Sequence, residues 1–173
     1  MVKLRVMISM ELEGVTDVRP ADDEFEYLFN ILCTSCREEH PKIVSIGRKD
    51  EAEISGSRGT ANFVWRCGNC KKEHSASFIP PSPTLKSPSP PSYTGPSWSP
   101  FIALDCRGLE ITGYHFSGRW VCKGAESGTP FEFELESEEG GGGRGEEVRW
   151  DDYDEKAGEA VGVSELKSKI ERF

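Results

Sequence analysis

The chain has 173 residues, of which 36% are hydrophobic, and it carries a formal net charge of -9. This length suits one domain with a modest core and leaves little room for a large multidomain enzyme. The excess of acidic side chains disfavours sequence-independent binding to nucleic acid, which depends on many basic contacts with phosphates. The sequence contains neither the roughly 18 consecutive apolar residues of a membrane span nor a signal-peptide pattern. We therefore expect a cytoplasmic protein without membrane association.

Apolar residues alternate with mostly polar residues in the first part of the chain, at 2–12, 25–33 and 63–67. A period of two is typical of half-buried antiparallel strands. The pattern predicts an all-β fold with little helix, in which antiparallel sheets form a sandwich or an open barrel. Residues 1–79 make up the first half of this predicted fold.

Two cysteine pairs in this half, Cys33-Thr-Ser-Cys36 and Cys67-Gly-Asn-Cys70, are separated by 30 residues. A gap of two residues lets a tight turn direct both sulfurs at one ion, and two such turns complete a tetrahedron of thiolates. The spacing predicts one Zn²⁺ per chain, bound by Cys33, Cys36, Cys67 and Cys70. Iron is the alternative, because the tetrathiolate site of rubredoxin has a similar spacing.

Four protein ligands leave a zinc ion no open position for a water or a substrate, so metal-assisted hydrolysis is not expected. His40 and His74 each lie four residues beyond the second cysteine of a pair and are alternative ligands. Because the four cysteines already complete the tetrahedron, we expect neither histidine to bind the metal. His115 has no assignable nucleophile partner, and we predict no catalytic residue.

A segment rich in proline and serine follows at residues 80–100, where eight of the eleven prolines occur. Proline cannot donate to a β-ladder, so this segment is predicted to be a linker or an exposed loop. Within it, Pro90, Pro91 and Tyr93 fit the Pro-Pro-x-Tyr pattern of WW-domain ligands. The alternative is a spacer. In either case we expect that replacing residues 82–98 leaves the fold intact.

Residues 101–173 are predicted to form a second, metal-free β half, because apolar residues alternate with glutamates at 131–135. An acidic segment around the glycine run 140–143 predicts a flexible loop in this half. The two halves are expected to pack as one compact unit.

Two segments of the second half have spacings that suggest helices. One covers residues 151–161. The other is the C-terminus, where apolar residues recur at helical spacing at Leu166, Ile170 and Phe173.

The remaining cysteines, Cys106 and Cys122, suggest an internal duplication. The residues that precede Cys33 can be aligned with those that precede Cys106, and the residues around Cys67 with those around Cys122. With small shifts, each alignment pairs cysteine with cysteine. The second cysteine of each pair has no counterpart in this alignment, so the second half should bind no metal. The alternative is that both residues are small buried hydrophobic side chains.

Five further stretches make the sequence recognisable. They are Gly-Val-Thr-Asp-Val-Arg-Pro (14–20), Gly-Ser-Arg-Gly-Thr (56–60), Asp-Cys-Arg-Gly-Leu-Glu (105–110), Glu-Ser-Gly-Thr (126–129) and Trp-Asp-Asp-Tyr-Asp-Glu-Lys-Ala (150–157). With the cysteine pairs, they show that the chain resembles the eukaryotic CXXC-motif-containing zinc-binding proteins. The resemblance implies an all-β fold of two related halves, with zinc held in the first by Cys33, Cys36, Cys67 and Cys70. It implies no established enzymatic activity.

These observations predict a non-catalytic protein with a structural zinc site, which acts as a monomer by binding an unidentified protein partner. A nucleic-acid-binding zinc ribbon is one alternative, although residues 37–74 carry only eight basic against six acidic side chains. Thiol redox chemistry and the transfer of metal to another protein are further alternatives. Redox enzymes place a Cys-x-x-Cys pair at the start of a helix, whereas both pairs here lie beside strand patterns.

Overall fold

The computed structural model describes residues 2–79, 92–136 and 148–173. The glycine run 140–143, predicted to be a loop, lies outside these ranges. The described residues form strands and no α-helix, and so contain no helix that could span a membrane. The strands are β1 (Val2–Glu13), β2 (Val15–Pro20), β3 (Glu26–Cys33), β4 (Val44–Gly47), β5 (Ala52–Glu53), β6 (Thr60–Ala61), β7 (Phe63–Arg66), β8 (Glu73–Ile79), β9 (Ser99–Arg107), β10 (Leu109–His115), β11 (Gly118–Gly124), β12 (Pro130–Leu135), β13 (Trp150–Asp154) and β14 (Glu159–Arg172).

The strands build one large and three small sheets. The large sheet has six strands in the order β13-β14-β1-β9-β8-β7. Two three-stranded sheets have the orders β10-β3-β4 and β12-β11-β2, and β5 pairs with β6. Every pairing is antiparallel, which confirms the predicted all-β fold of antiparallel sheets.

Strands from the two predicted halves mix in the three larger sheets. β1 pairs with β9 and β14, β2 pairs with β11, and β3 pairs with β10. Residues 1–79 and 101–173 therefore do not form separate sheets, and their backbones depend on each other for hydrogen bonds.

Aromatic side chains from both segments fill the space between the sheets. Trp120 is completely buried, and its ring lies 5.5 Å from Phe25 and 5.5 Å from Phe101. Tyr27 also contacts Phe101, with ring centroids 5.8 Å apart. Large aromatic residues bury more apolar surface than other side chains, so this shared core joins the two segments.

The predicted helices are wrong. Residues 151–161 lie mainly in β13, the turn after it and the start of β14, and β14 continues through the C-terminal segment to Arg172. A separation of four residues between Leu166 and Ile170 places them on one face of a helix, but it also places them on one face of a strand. Pairing of β14 with β1 over most of its length decides in favour of the strand.

The interpretation of Tyr93 as part of a WW-domain ligand is also wrong. Its side chain is 2% exposed, and its backbone exchanges hydrogen bonds of 2.8 and 3.0 Å with Val18. The Tyr93 hydroxyl accepts a hydrogen bond from the Met10 amide at 3.1 Å. A ring buried in this way cannot enter the groove of another domain. Pro90 and Pro91 lie outside the described residues.

Candidate metal centre

Two turns bring the four cysteines of the sequence pattern together. Cys33 is the last residue of β3, and the turn from Cys67 to Cys70 connects β7 to β8. The four sulfurs all lie within 4.8 Å of one another. Cys33 Sγ is 3.6 Å from Cys70 Sγ, and Cys36 Sγ is 3.7 Å from Cys67 Sγ.

Both turns are closed by the same kind of backbone hydrogen bond, from the amide four residues after the first cysteine to the carbonyl of that cysteine. The Arg37 amide donates to the Cys33 carbonyl at 2.8 Å, and the Lys71 amide donates to the Cys67 carbonyl at 2.9 Å. Arg37 and Lys71 adopt φ values of 63° and 65°, in the left-handed region. This backbone conformation is unfavourable for residues other than glycine. The surrounding contacts must therefore stabilise the turns. Each turn places both sulfurs of its pair on one side.

The spacing of the sulfurs fits a tetrahedral metal ion. With Zn–S bonds of about 2.3 Å, tetrahedral geometry places the sulfurs about 3.8 Å apart. The Cys33–Cys70 and Cys36–Cys67 sulfur distances, 3.6 and 3.7 Å, are close to this value. A set of four thiolates suits zinc or iron.

The protonation of the thiols also fits a site for a cation. Hydrogen bonds from the Asn69 side chain and the Glu38 backbone lower the pKa of Cys36 to about 6. At Cys70 the Lys72 amide lowers the pKa, but burial and hydrogen bonds with the other three thiols raise it to about 11. Without a cation Cys70 therefore retains its proton at neutral pH whereas Cys36 is largely ionised, and a bound dication would offset the charge of the thiolates.

One side of the cluster faces solvent. Cys33 and Cys67 are 0% and 1% exposed, whereas Cys36 and Cys70 are partly exposed. The first cysteine of each pair is thus packed into the protein and the second lies towards the surface, so a metal ion would be bound at the rim of the fold.

His74 lies directly behind the buried side of the cluster. Its Nε2 atom is 3.0 Å from Cys33 Sγ, although it is not part of the group of four potential ligands found among the described residues. Burial lowers the pKa of His74 and the nearby Lys72 lowers it further, so the imidazole is neutral. A metal-bound thiolate has no proton, and the ring proton must then be on Nε2 to make this hydrogen bond.

His40, the other alternative ligand, points elsewhere. Its Nδ1 atom lies 2.8 Å from the Lys42 carbonyl and 3.1 Å from the Lys42 amide, and its ring packs edge-on against Trp65. His115 contacts the side-chain oxygen of Asn30 through Nε2, which is typical of a histidine with a structural role.

The second segment supports the metal centre through Gly108, between β9 and β10. The Gly108 carbonyl accepts hydrogen bonds from the Thr34 amide at 3.0 Å and from the Thr34 hydroxyl at 2.9 Å. Gly108 has a φ of 82°, and a Cβ atom at this position would overlap the His74 ring. Sequence reasoning missed these roles, although Gly108 lies in the stretch 105–110 that marks the family resemblance.

Cys106 and Cys122 are not part of the cluster. Both are buried, and burial raises the pKa of each to about 12. Thiols with such pKa values stay protonated and are poor metal ligands. These two residues therefore act as small hydrophobic side chains.

A sequence profile described as "CXXC motif containing zinc binding protein, eukaryotic" matches residues 5–171. The chain belongs to this family. It is 34% identical to a UPF0587 protein of Schizosaccharomyces pombe over 98% of both chains. It is 30% identical to the CXXC motif containing zinc binding protein of Xenopus laevis, again over 98% of both chains. Its human relative of the same name is 29% identical over 95% of this chain and 94% of its own.

Two solved structures have the same fold. A crystal structure of C1orf123 matches with a TM-score of 0.78 and 26% identity, and covers 99% of both chains. A hypothetical protein from Plasmodium falciparum matches with a TM-score of 0.77 and 25% identity, over 99% of this chain and 100% of its own. The likeness to both structures thus extends over 99% of this chain.

Proposed function

We propose that this CXXC zinc-binding protein holds one Zn²⁺ per chain on Cys33, Cys36, Cys67 and Cys70, and that the ion is structural. The observation that carries the proposal is the group of four sulfurs within 4.8 Å of one another. Their spacing leaves room for one ion bound by all four.

The position of the cluster in the fold supports a structural role. Cys33 ends β3, the central strand of the sheet β10-β3-β4, whereas Cys67 and Cys70 lie at the β7–β8 end of the six-stranded sheet. One ion bound to both turns would connect the end of β3 in one sheet to the turn between β7 and β8 in the other. Because such a site forms only when the chain folds, the free energy of metal binding contributes to folding, by about 10 to 16 kcal/mol in small zinc-finger peptides.

The same geometry supports a non-catalytic role. Four protein ligands occupy the tetrahedron, so no position is left for a water nucleophile or a substrate. Neither pair lies at a helix N-terminus in the described residues, where redox cysteines gain their low pKa. We propose that the protein is a cytoplasmic monomer that acts by binding another protein, because its net charge of -9 disfavours nucleic acid as the partner.

Metal analysis tests the proposed site. Protein purified without added metal should contain about one zinc per chain by elemental analysis, and Cys67→Ser should lose it. Cys122→Ala is the matched control, because it also removes a buried thiol but leaves the cluster complete. A Cys67→Ser protein that retains a full equivalent of zinc would refute the ligand set, and visible absorption like that of rubredoxin would identify iron.

Two assays separate the alternative functions. A salt-dependent gel shift with random RNA and DNA should show no complex, and tight binding would favour a zinc ribbon. Exchange of the bound zinc with a chelator should be slow. Fast exchange would favour metal transfer, for which Cys36 and Cys70 are the accessible thiolates.

A further inference from the structure

The strand order of this protein repeats itself. If β1, β7 and β8 are matched with β9, β13 and β14, the order of the six-stranded sheet reads the same from both edges. If β2, β3 and β4 are matched with β10, β11 and β12, the two three-stranded sheets also become identical. Each match follows chain order, so the second segment repeats the arrangement of the first.

The repeat includes two further turns of the kind that carries the cysteines. They run from Gly124 to Ser127, between β11 and β12, and from Asp154 to Ala157, between β13 and β14. The amides of Gly128 and Gly158 close them with hydrogen bonds of 2.9 and 2.7 Å to the carbonyls of Gly124 and Asp154. The closing residues have φ values of 71° and 70°, as at Arg37 and Lys71 in the cysteine turns.

A pair of glycines fixes the alignment of the two sets of turns. The Gly108 carbonyl accepts from the amide of Thr34, which follows Cys33. In the same way, the Gly14 carbonyl accepts from the amide of Ala125, which follows Gly124, at 2.9 Å. Gly124 is therefore the counterpart of Cys33, and chain order assigns the other three positions. The counterparts of Cys36, Cys67 and Cys70 are Ser127, Asp154 and Ala157.

A carboxylate occupies the centre of the second pair of turns. Asp154 is 1% exposed, and it accepts a hydrogen bond from the Ser127 hydroxyl across the two turns. Its Oδ1 atom also accepts from the amides of Lys156 and Ala157, each at 3.1 Å. A Cβ atom added at Gly124 would overlap Ser127 Oγ and Asp154 Oδ2, so this position points into the same centre.

We propose that Gly124, Ser127, Asp154 and Ala157 form a metal-free counterpart of the cysteine site, in which the Asp154–Ser127 hydrogen bond joins the turns in place of an ion. Asp154 is then a positioning residue. The proposal takes its reference positions from the proposed zinc ligands but requires no metal in the second pair. It also corrects the sequence alignment, because the counterparts of Cys33 and Cys67 are Gly124 and Asp154, not Cys106 and Cys122.

Restoring the cysteines tests the proposal. The variant Gly124→Cys/Ser127→Cys/Asp154→Cys/Ala157→Cys should bind one more equivalent of Co²⁺ or Zn²⁺ than the parent, with the visible absorption of tetrahedral cobalt tetrathiolate. The matched control places four cysteines one residue away, in Ala125→Cys/Glu126→Cys/Glu155→Cys/Lys156→Cys, and should gain no tightly bound metal. A folded variant without the extra equivalent would overturn the proposal.

The number of metal equivalents that the four-cysteine variant gains over the parent distinguishes the counterpart site from the zinc site of the proposed function. If the parent binds no metal and the four-cysteine variant binds one equivalent, the zinc site in the first segment is refuted and the counterpart site stands. If the parent binds one equivalent and the variant still binds one, the counterpart site is refuted and the zinc site in the first segment stands.

A double-mutant cycle tests the hydrogen bond without new cysteines. Asp154→Ala should lower the thermal midpoint by about 4 to 10 °C, as expected for a lost hydrogen bond to a charged group in a chain of this size. Ser127→Ala should have a smaller effect in the Asp154→Ala background than in the parent. Asp152→Ala, which removes an exposed carboxylate from the same strand, should change little. Additive effects of the two substitutions would overturn the positioning role.

Discussion

The Nε2 atom of His74 lies 3.0 Å from the Sγ atom of Cys33. A hydrogen bond from outside the ligand set orients a metal ligand and offsets part of its charge, and the loss of such a partner typically costs 10- to 100-fold in metal affinity. Beside the second pair of turns, a Cβ atom added at Gly14 would meet Val161, just as one added at Gly108 would meet His74. His74 thus lies beside the cysteine turns, whereas the apolar residue Val161 lies at the corresponding place beside the metal-free turns.

We predict that His74→Leu weakens zinc binding by about 10- to 100-fold, as measured by competition with a chromophoric chelator. His74→Gln should recover part of the affinity, because its amide can donate to the thiolate. His40→Leu is the control, since His40 and His74 both pack against Trp65 but His40 contacts Lys42 instead of a sulfur. Equal affinities of His74→Leu and the parent would refute the role of the hydrogen bond.

A second prediction concerns the support from Gly108. Gly108→Ala should displace the His74 ring and weaken zinc binding, in addition to the cost of about 1 to 2 kcal/mol for a side chain in the left-handed region. Gly128→Ala is the matched control, because Gly128 has a φ of 71° but open space around its added Cβ atom. Both variants should lose stability in a denaturant titration, and only Gly108→Ala should lose zinc affinity. The same affinity loss in both would contradict this account.

The third prediction replaces the expectation that residues 82–98 can be exchanged without effect. Because Tyr93 is 2% exposed, Tyr93→Ala should destabilise the fold by about 3 to 5 kcal/mol, as for other large aromatic truncations in cores. Replacing 82–98 by a Gly/Ser bridge should cost at least as much. The neighbouring exposed residue provides the control Thr94→Ala, with little expected change. A thermal midpoint unaffected by Tyr93→Ala would show that the ring does not stabilise the core.

The sequence predicted several of the strands and the grouping of the four cysteines, because each depends on a local pattern. Alternating apolar residues identify a half-buried strand, and a Cys-x-x-Cys turn fixes the direction of two sulfurs. The C-terminal strand β14 was missed because the spacing of Leu166 and Ile170 fits both a helix and a strand, and only pairing with β1, at the other end of the chain, distinguishes them.

Other features were missed because they depend on contacts between distant residues. Tyr93 is buried by its contacts with β1 and β2, which no pattern in a proline-rich segment indicates. The proposed counterpart turns contain no cysteine, so an alignment guided by cysteines pairs Cys33 and Cys67 with Cys106 and Cys122 instead. The sequence signal for these turns was the pair of glycines that close them, Gly128 and Gly158, each four residues after the start of its turn.

In the proposed function, the four cysteines hold a structural metal ion that connects two sheets. Amide hydrogen exchange, mapped along the chain with and without zinc, tests it most directly. Because β1 pairs with both β9 and β14 at the centre of the large sheet, these three strands should keep most of their protection without the metal. Protection should fall in β3, β4, β7 and β8, and Cys67→Ser should reproduce this pattern. Identical protection of all strands with and without zinc would contradict a structural role.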